Sequence, residues 1–170
     1  MSETQDPKNS MPQGNPESVV THTDAPPKLD LEGSKQPLFK LKLSLPGKDI
    51  GGDWLCLNTG GALAYQNYCV TQGSVRQLRS YVYTDGKTYL YDQDGHWLSY
   101  ETIWNMLYMS YWSYAAAWKI ENNRLIREKD GALLTCRPPR DWPLSYPSYY
   151  LSAEPQSEYT LKVEEVAIEG

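Results

Sequence analysis

Three short segments of this chain repeat one another. They are Gly52-Asp53-Trp54-Leu55-Cys56-Leu57, Gly95-His96-Trp97-Leu98-Ser99-Tyr100 and Gly131-Ala132-Leu133-Leu134-Thr135-Cys136. Each reads Gly-x-(Trp/Leu)-Leu-x-x, and Leu55, Leu98 and Leu134 lie 43 and 36 residues apart. An alternating segment precedes each leucine by 14 to 17 residues: Phe39 and Leu41, Tyr81 and Tyr83, Trp118 and Ile120. A strand–turn–strand block recurring three times at this period predicts an all-β domain with internal threefold repetition.

The repeat has a fourth echo. Tyr159-Thr160-Leu161-Lys162-Val163 matches Phe39-Lys40-Leu41-Lys42-Leu43. A last strand that closes against the first would remove the exposed edges that make open sheets sticky. A blade-type propeller needs about four or more such units. Three units therefore predict a β-trefoil over residues 38–170.

Every Trp, Tyr, Phe and Cys lies at position 39 or later, and the first 38 residues hold six prolines among polar neighbours. Such a segment cannot bury enough surface to offset its ordering entropy. Residues 1–37 are accordingly expected to be a disordered, Pro-rich tail. No stretch is apolar enough for a membrane helix, and Met1 is not followed by a signal-type apolar run.

The net charge is −5, with the basic residues scattered. Neutralising phosphates needs a basic stripe, so nucleic acid is not an expected partner. Simple attraction to anionic lipid is disfavoured for the same reason. Catalysis is not expected either. The chain has no nucleophile elbow or phosphate loop, and its two histidines are His22, in the tail, and His96, in a predicted hairpin turn. Glu164 and Glu165 are adjacent in a terminal strand and would point to opposite faces. No Cys–His spacing suggests a metal site, and no cofactor is expected.

The aromatic balance carries more information. There are 14 Tyr and 6 Trp but a single Phe. Tyr and Trp are favoured where one end of the ring is apolar and the other is wet. This suggests a surface that stacks rings on a ligand or partner, and the alternative is a tyrosine-rich β core. The densest stretch is Trp104, Tyr108, Tyr111, Trp112 and Tyr114. It reads as a loop over the open end of a barrel, as an exposed patch, or as a short helix, because the spacing also fits i, i+4, i+7, i+8. Arg137-Pro138-Pro139-Arg140-Asp141-Trp142-Pro143 predicts a stiff loop presenting Trp142 and Tyr146. Turns are predicted at Pro46-Gly47, Asp85-Gly86, Asp94-Gly95, Asn122-Asn123 and Asp130-Gly131.

Cys56 and Cys69 lie 13 residues apart on predicted neighbouring strands. That spacing suits a disulfide and an oxidising compartment. The alternative is three reduced cysteines acting as small apolar side chains.

Several of these residues resemble a known family. Trp118-Lys119-Ile120-Glu121-Asn122-Asn123-Arg124-Leu125-Ile126, leading to Leu133-Leu134, is similar to the repeat of ricin-type β-trefoil lectins. Leu55-Cys56-Leu57-Asn58, then Cys69, then Gln77-Leu78, resembles the unit of that family in which Cys-x-Asp precedes an aromatic residue, a second Cys and Asn-Gln. Within the family the chain looks most like the receptor-binding trefoil subunits of cytolethal distending toxins. The features shared with these are the Cys56/Cys69 spacing, the run Gly131-Ala132-Leu133-Leu134-Thr135, Asp141-Trp142 and Tyr146-Pro147, a Pro-rich tail and an aromatic patch. The resemblance spans about residues 38–166. The order of units differs, since in those subunits the Gly-Ala-Leu-Leu-Thr unit precedes the cysteine unit.

The resemblance implies a secreted, non-enzymatic module that binds a cell-surface glycan or glycoconjugate, with other toxin subunits as further partners. The signal peptide would have been removed or replaced by another export route. The family's acidic sugar-binding position falls on Asn58, Glu101 and Arg137, and an arginine cannot accept a sugar hydroxyl. Gln77-Leu78-Arg79 and Ala116-Ala117-Trp118 stand where the family has Gln-x-Trp. The expected ligand-binding residues are Asn58, Tyr65, Tyr68, Gln77, Glu101, Trp104, Tyr108, Tyr111, Trp112, Trp142 and Tyr146. The alternative is a protein-docking module that uses the aromatic patches.

Overall fold

Alternation of apolar and polar residues sets the architecture, and the turn residues set where it folds back. In the computed structural model the described residues are 20–29, 31, 36–48, 50, 53–57, 67–70, 73–102, 105–137 and 150–168, with backbone alone at 67–70, 137 and 150. They form β1 (Phe39–Ser44), β2 (Cys56–Leu57), β3 (Asn67–Val70), β4 (Ser74–Val75), β5 (Leu78–Val82), β6 (Thr88–Asp92), β7 (Trp97–Glu101) and β8 (Met106–Ser110). A 3-10 turn at Trp112–Tyr114 leads on to β9 (Trp118–Glu121), β10 (Arg124–Arg127), β11 (Leu133–Arg137), β12 (Tyr150–Glu154) and β13 (Lys162–Ala167). The protein is all-β, built of curled antiparallel sheets. No described helix is long and apolar enough to cross a membrane.

The strands follow the order β13-β1-β5-β6-β7-β8-β3-β12-β11-β10-β9, with β2 pairing β3 and β4. The last strand does close against the first. β1 and β13 pair in antiparallel register from Phe39 with Ala167 to Ser44 with Lys162. β6 also touches β9, and β10 touches β13. Turn chemistry falls where the sequence places it. Asn122 and Asn123 both take positive φ (52° and 60°), joining β9 to β10. Two consecutive left-handed residues give the tight hairpin whose twist matches its strands.

Three sets of strands share a pairing pattern. Leading strands β1, β6 and β10 each meet a hairpin, through Lys42–Trp54, Tyr91–Trp97 and Ile126–Leu133. The hairpins are β2/β3, β7/β8 and β11/β12. The Gly-x-x-Leu leucine of each hairpin then accepts one hydrogen bond from the approach to the following strand. Arg76 N–H donates to Leu55 O at 2.9 Å, Ala116 N–H to Leu98 O at 3.2 Å, and Leu161 N–H to Leu134 O at 3.0 Å. The same three leucines are fully buried. The counterparts Leu41, Leu90 and Leu125 on the leading strands, and Leu78, Trp118 and Val163 on the strands that follow, are buried too. Each buried leucine contributes about 1.5–3 kcal/mol relative to exposure.

This fixes the phase of the repeat, and it differs from the phase expected. The counterparts of β1 are β6 and β10, not the strands carrying Tyr81 and Trp118. The offset between leading and hairpin leucine is 14 residues in the first unit but eight and nine in the others. The longer first connection, through Pro46-Gly47, is what made β5 and β9 look equivalent to β1.

One further expectation changes. The stretch after Trp104 is neither helix nor open loop: β8 pairs β7 and β3, with all five side chains buried, and then meets the 3-10 turn. A strand buried on both faces mimics helical spacing in its large residues. The stretch read as tail, residues 1–37, includes described residues that contact the domain. Residues 20–29 and 31 lie against the folded body, because the domain has an aromatic surface to receive them.

Candidate functional site

That surface is a slot walled by Tyr81, Tyr83, Tyr89, Tyr91, Trp97 and Trp112. β5 and β6 place Tyr81, Tyr89 and Tyr91, Tyr83 follows directly after β5, β7 places Trp97, and the 3-10 turn after β8 lays Trp112 across them. The rings meet mostly edge to face: Trp112 lies 5.0 Å from Tyr83 and 5.1 Å from Tyr89, with Trp97 tilted at 4.7 Å. Such arrangements follow from the ring quadrupole and add about 0.5–1.5 kcal/mol per pair.

His22 fills the slot. Its ring lies flat on Trp112, with centroids 3.9 Å apart and planes 9° apart. The edges of Tyr83 and Tyr89 close the sides at 5.5 and 5.0 Å. Thr21 and His22 donate backbone N–H bonds to Ser113 O at 2.7 and 3.2 Å. Asp24 accepts from the Tyr83 hydroxyl and, at 3.4 Å, from Trp112 Nε1. Burial lowers the His22 pKa, against the opposing pull of Asp24 and Asp85. The Tyr83 hydrogen bond holds the Asp24 carboxyl below its ordinary range.

Tyr89 also borders a second feature, a pocket of about 360 Å³. Its wall includes Tyr100, Tyr114, Lys87, Arg127, Glu128 and Lys129, with Thr21 at the margin. Arg127 stacks on Tyr100 at 3.8 Å and grips Asp130 with two bonds of 3.0 and 2.6 Å. The fork fixes the guanidinium plane and holds the Asp130 carboxyl low. Ring faces and several hydrogen-bonding groups thus converge on one concave site.

A third cluster is already satisfied. Asp92, Asp94 and His96 bring possible ligand atoms within 4.8 Å of one another. Arg76 Nη1, however, lies 3.0 Å from both Asp92 Oδ2 and Asp94 Oδ2, where a cation would have to sit. Asp92 Oδ1 accepts the N–H groups of Asp94 and His96 at 3.0 and 2.9 Å. The cluster locks the Asp94-Gly95 turn.

The thiols are inert for a similar reason. Burial pushes Cys56 and Cys136 up to about 11, so neither is a thiolate at neutral pH. Cys56 donates to the Trp54 carbonyl at 3.1 Å. The ladder sets Cys56 opposite Val70 and Leu57 opposite Cys69. The expected Cys56–Cys69 bridge involves a side chain outside the described residues.

Of the residues expected to bind ligand, Gln77, Glu101, Tyr108, Tyr111 and Trp112 are described with their side chains. Glu101 and Tyr108 are buried, and Trp112 lies under His22. Glu101 is part of the interior. Tyr111 is 52% exposed and sits edge-on to His96. Gln77 is exposed, and its N–H donates to Gln93 Oε1. Only the backbone of Tyr68 is described, facing Tyr108 across the β3–β8 ladder. Asn58, Tyr65, Trp104, Trp142 and Tyr146 lie outside the described residues, as does the loop at 138–149.

Sequence reasoning missed His22, Asp24, Tyr100 and Arg127. The Tyr81/Tyr83/Tyr89/Tyr91 alternation was the available signal for the slot, since same-face tyrosines on paired strands must meet something. No protein-family model, curated protein or solved structure matches the chain.

Proposed function

We propose that the chain is a β-trefoil and a non-enzymatic binding module for a cell-surface glycan or glycoconjugate, of the kind that serves as a delivery subunit in a secreted toxin. The trefoil reading draws support from the three equivalent hydrogen bonds at Leu55, Leu98 and Leu134. The binding reading is carried by the pocket at Tyr100, Tyr114 and Arg127. A sugar offers a C–H face that stacks on a ring and hydroxyls that need donors and acceptors. Tyr100 and Tyr114 supply rings, while Lys87, Arg127, Glu128 and Lys129 supply polar partners. The buried thiols and the arginine-locked Asp92–Asp94 cluster offer no nucleophile or proton-transfer pair.

The test is a glycan array probed with the full-length protein, followed by Lys87→Ala and Lys129→Ala, which alter exposed side chains, and by Tyr100→Ala. The expected result is sugar-competable binding that Tyr100→Ala abolishes and the lysine variants weaken. A blank array from a folded sample overturns the reading.

Protein docking is the second reading. The observation that favours it is the aromatic slot, which already holds a stretch of polypeptide.

A further inference from the structure

We propose that the aromatic slot is a peptide-binding site, and that residues 20–24 are its internal ligand. They occupy in cis the place that a partner chain's extended segment takes in trans. The partner segment carries a flat ring and, two residues later, a carboxylate. This site adjoins the sugar pocket, sharing Tyr89 and Thr21 with it, but does not rest on the glycan reading.

The mode of holding supports this. The slot walls belong to β5, β6, β7 and the 3-10 turn, so the folded body builds the site and the segment enters it. Recognition uses the three elements of extended-peptide binding. Main-chain bonds to Ser113 O set the direction. One ring, His22, is the buried anchor, and Asp24 caps the Tyr83 hydroxyl and the Trp112 indole.

The hold is also incomplete, which makes the segment displaceable. Val20, Thr21, Thr23, Asp24 and Ala25 are exposed, so His22 is the one buried side chain of residues 20–25. His22 Nε2 is buried and has no hydrogen-bond partner among the described residues. A buried polar atom left unsatisfied weakens the complex that contains it. The slot therefore takes a flat ring, and a phenyl or phenol ring avoids the unsatisfied Nε2 while forgoing the imidazole's contact with the Ala115 backbone. The internal segment compensates through its high effective concentration, as a tethered ligand does. A partner with a better ring displaces it, and the slot is closed to weaker partners.

The experiment uses the full-length protein and a fluorescent peptide of residues 19–25 carrying the His22→Phe exchange. Binding is read by anisotropy against the wild type and against the His22→Ala/Asp24→Ala double variant, whose changes lie outside the strands. The double variant should bind the peptide about tenfold or more tightly than the wild type, because no internal ligand competes. Tyr83→Ala added to the double variant should reduce that binding, and so should Asp24→Ala within the peptide. Equal affinity for wild type and double variant, or no binding by a folded double variant, overturns the proposal. A blank glycan array does not touch it.

Discussion

Arg76 donates from Nη1 to Oδ2 of Asp92 at 3.0 Å, with the two side chains 4% and 0% exposed. The pair ties the chain just before β5 to the end of β6. Removing one partner of a buried pair strands the other charge away from water, which costs about 3–5 kcal/mol. Arg76→Met is expected to lower unfolding stability by that amount in urea titration. Asp92→Asn should be milder, because the amide oxygen can still accept from the Asp94 and His96 N–H groups, and Asp94 still meets Arg76. The double variant should fall well short of the sum of the singles. Full additivity would mean that the two charges do not stabilise each other.

The three motif leucines offer a test of the repetition itself. Leu55, Leu98 and Leu134 are fully buried and make the same backbone hydrogen bond. Leucine to alanine at a buried site costs about 2–5 kcal/mol. All three alanine variants should lie in that range, because equivalent places in one core have equivalent packing. A variant within about 1 kcal/mol of wild type would show that its site is not part of the shared core.

Much of this arrangement was legible in the chain. The Gly-x-x-Leu motif marked the hairpins and Asp-Gly and Asn-Asn marked the turns, while the likeness of residues 159–163 to 39–43 signalled a closing strand that in fact pairs β1 through residues 162–167, with Tyr159 and Leu161 bonded to Cys136 and Leu134. These are local signals, set by φ preferences and by alternation. The phase of the repeat was not legible, since insertion in a loop shifts spacing without changing pairing. Glu101 and Trp112 looked like surface residues by type, but burial is decided by strands distant in sequence. His22 was the least visible. Nothing in Thr-His-Thr-Asp signals order, and its partner Trp112 lies 90 residues away.

Chemistry at the cysteines follows from their burial. Cys56 and Cys136 are pushed up to about 11, chiefly by desolvation of the thiolate, which outweighs the opposing charge of Arg76 at Cys56. The thiolate is the reactive form. Peptide mapping after brief iodoacetamide treatment at pH 8 should find Cys136 unmodified in the native protein and alkylated in denaturant. Rapid native labelling of Cys136 would place its thiol within reach of solvent.

Docking of residues 20–24 should depend on pH in one direction. The groups facing the His22 ring are Asp24 on its own segment, Asp85 in the β5–β6 turn, and the Tyr83, Tyr89 and Trp112 rings. Burial dominates and lowers the His22 pKa below its ordinary 6.5. The docked state then binds a proton less readily than the undocked state, so acid favours release. Docking is at full strength above about pH 6.5 and is progressively lost as pH falls below it. Asp24 and Asp85 attract the charged ring and narrow the effect without reversing its sign. Tryptophan fluorescence of the full-length protein should change between pH 7 and pH 5 as the imidazole leaves Trp112. His22→Phe should abolish that change while keeping the segment docked, because a phenyl ring stacks but does not titrate. A transition that persists in His22→Phe would assign the pH response to another group and leave the His22 stack insensitive to acid.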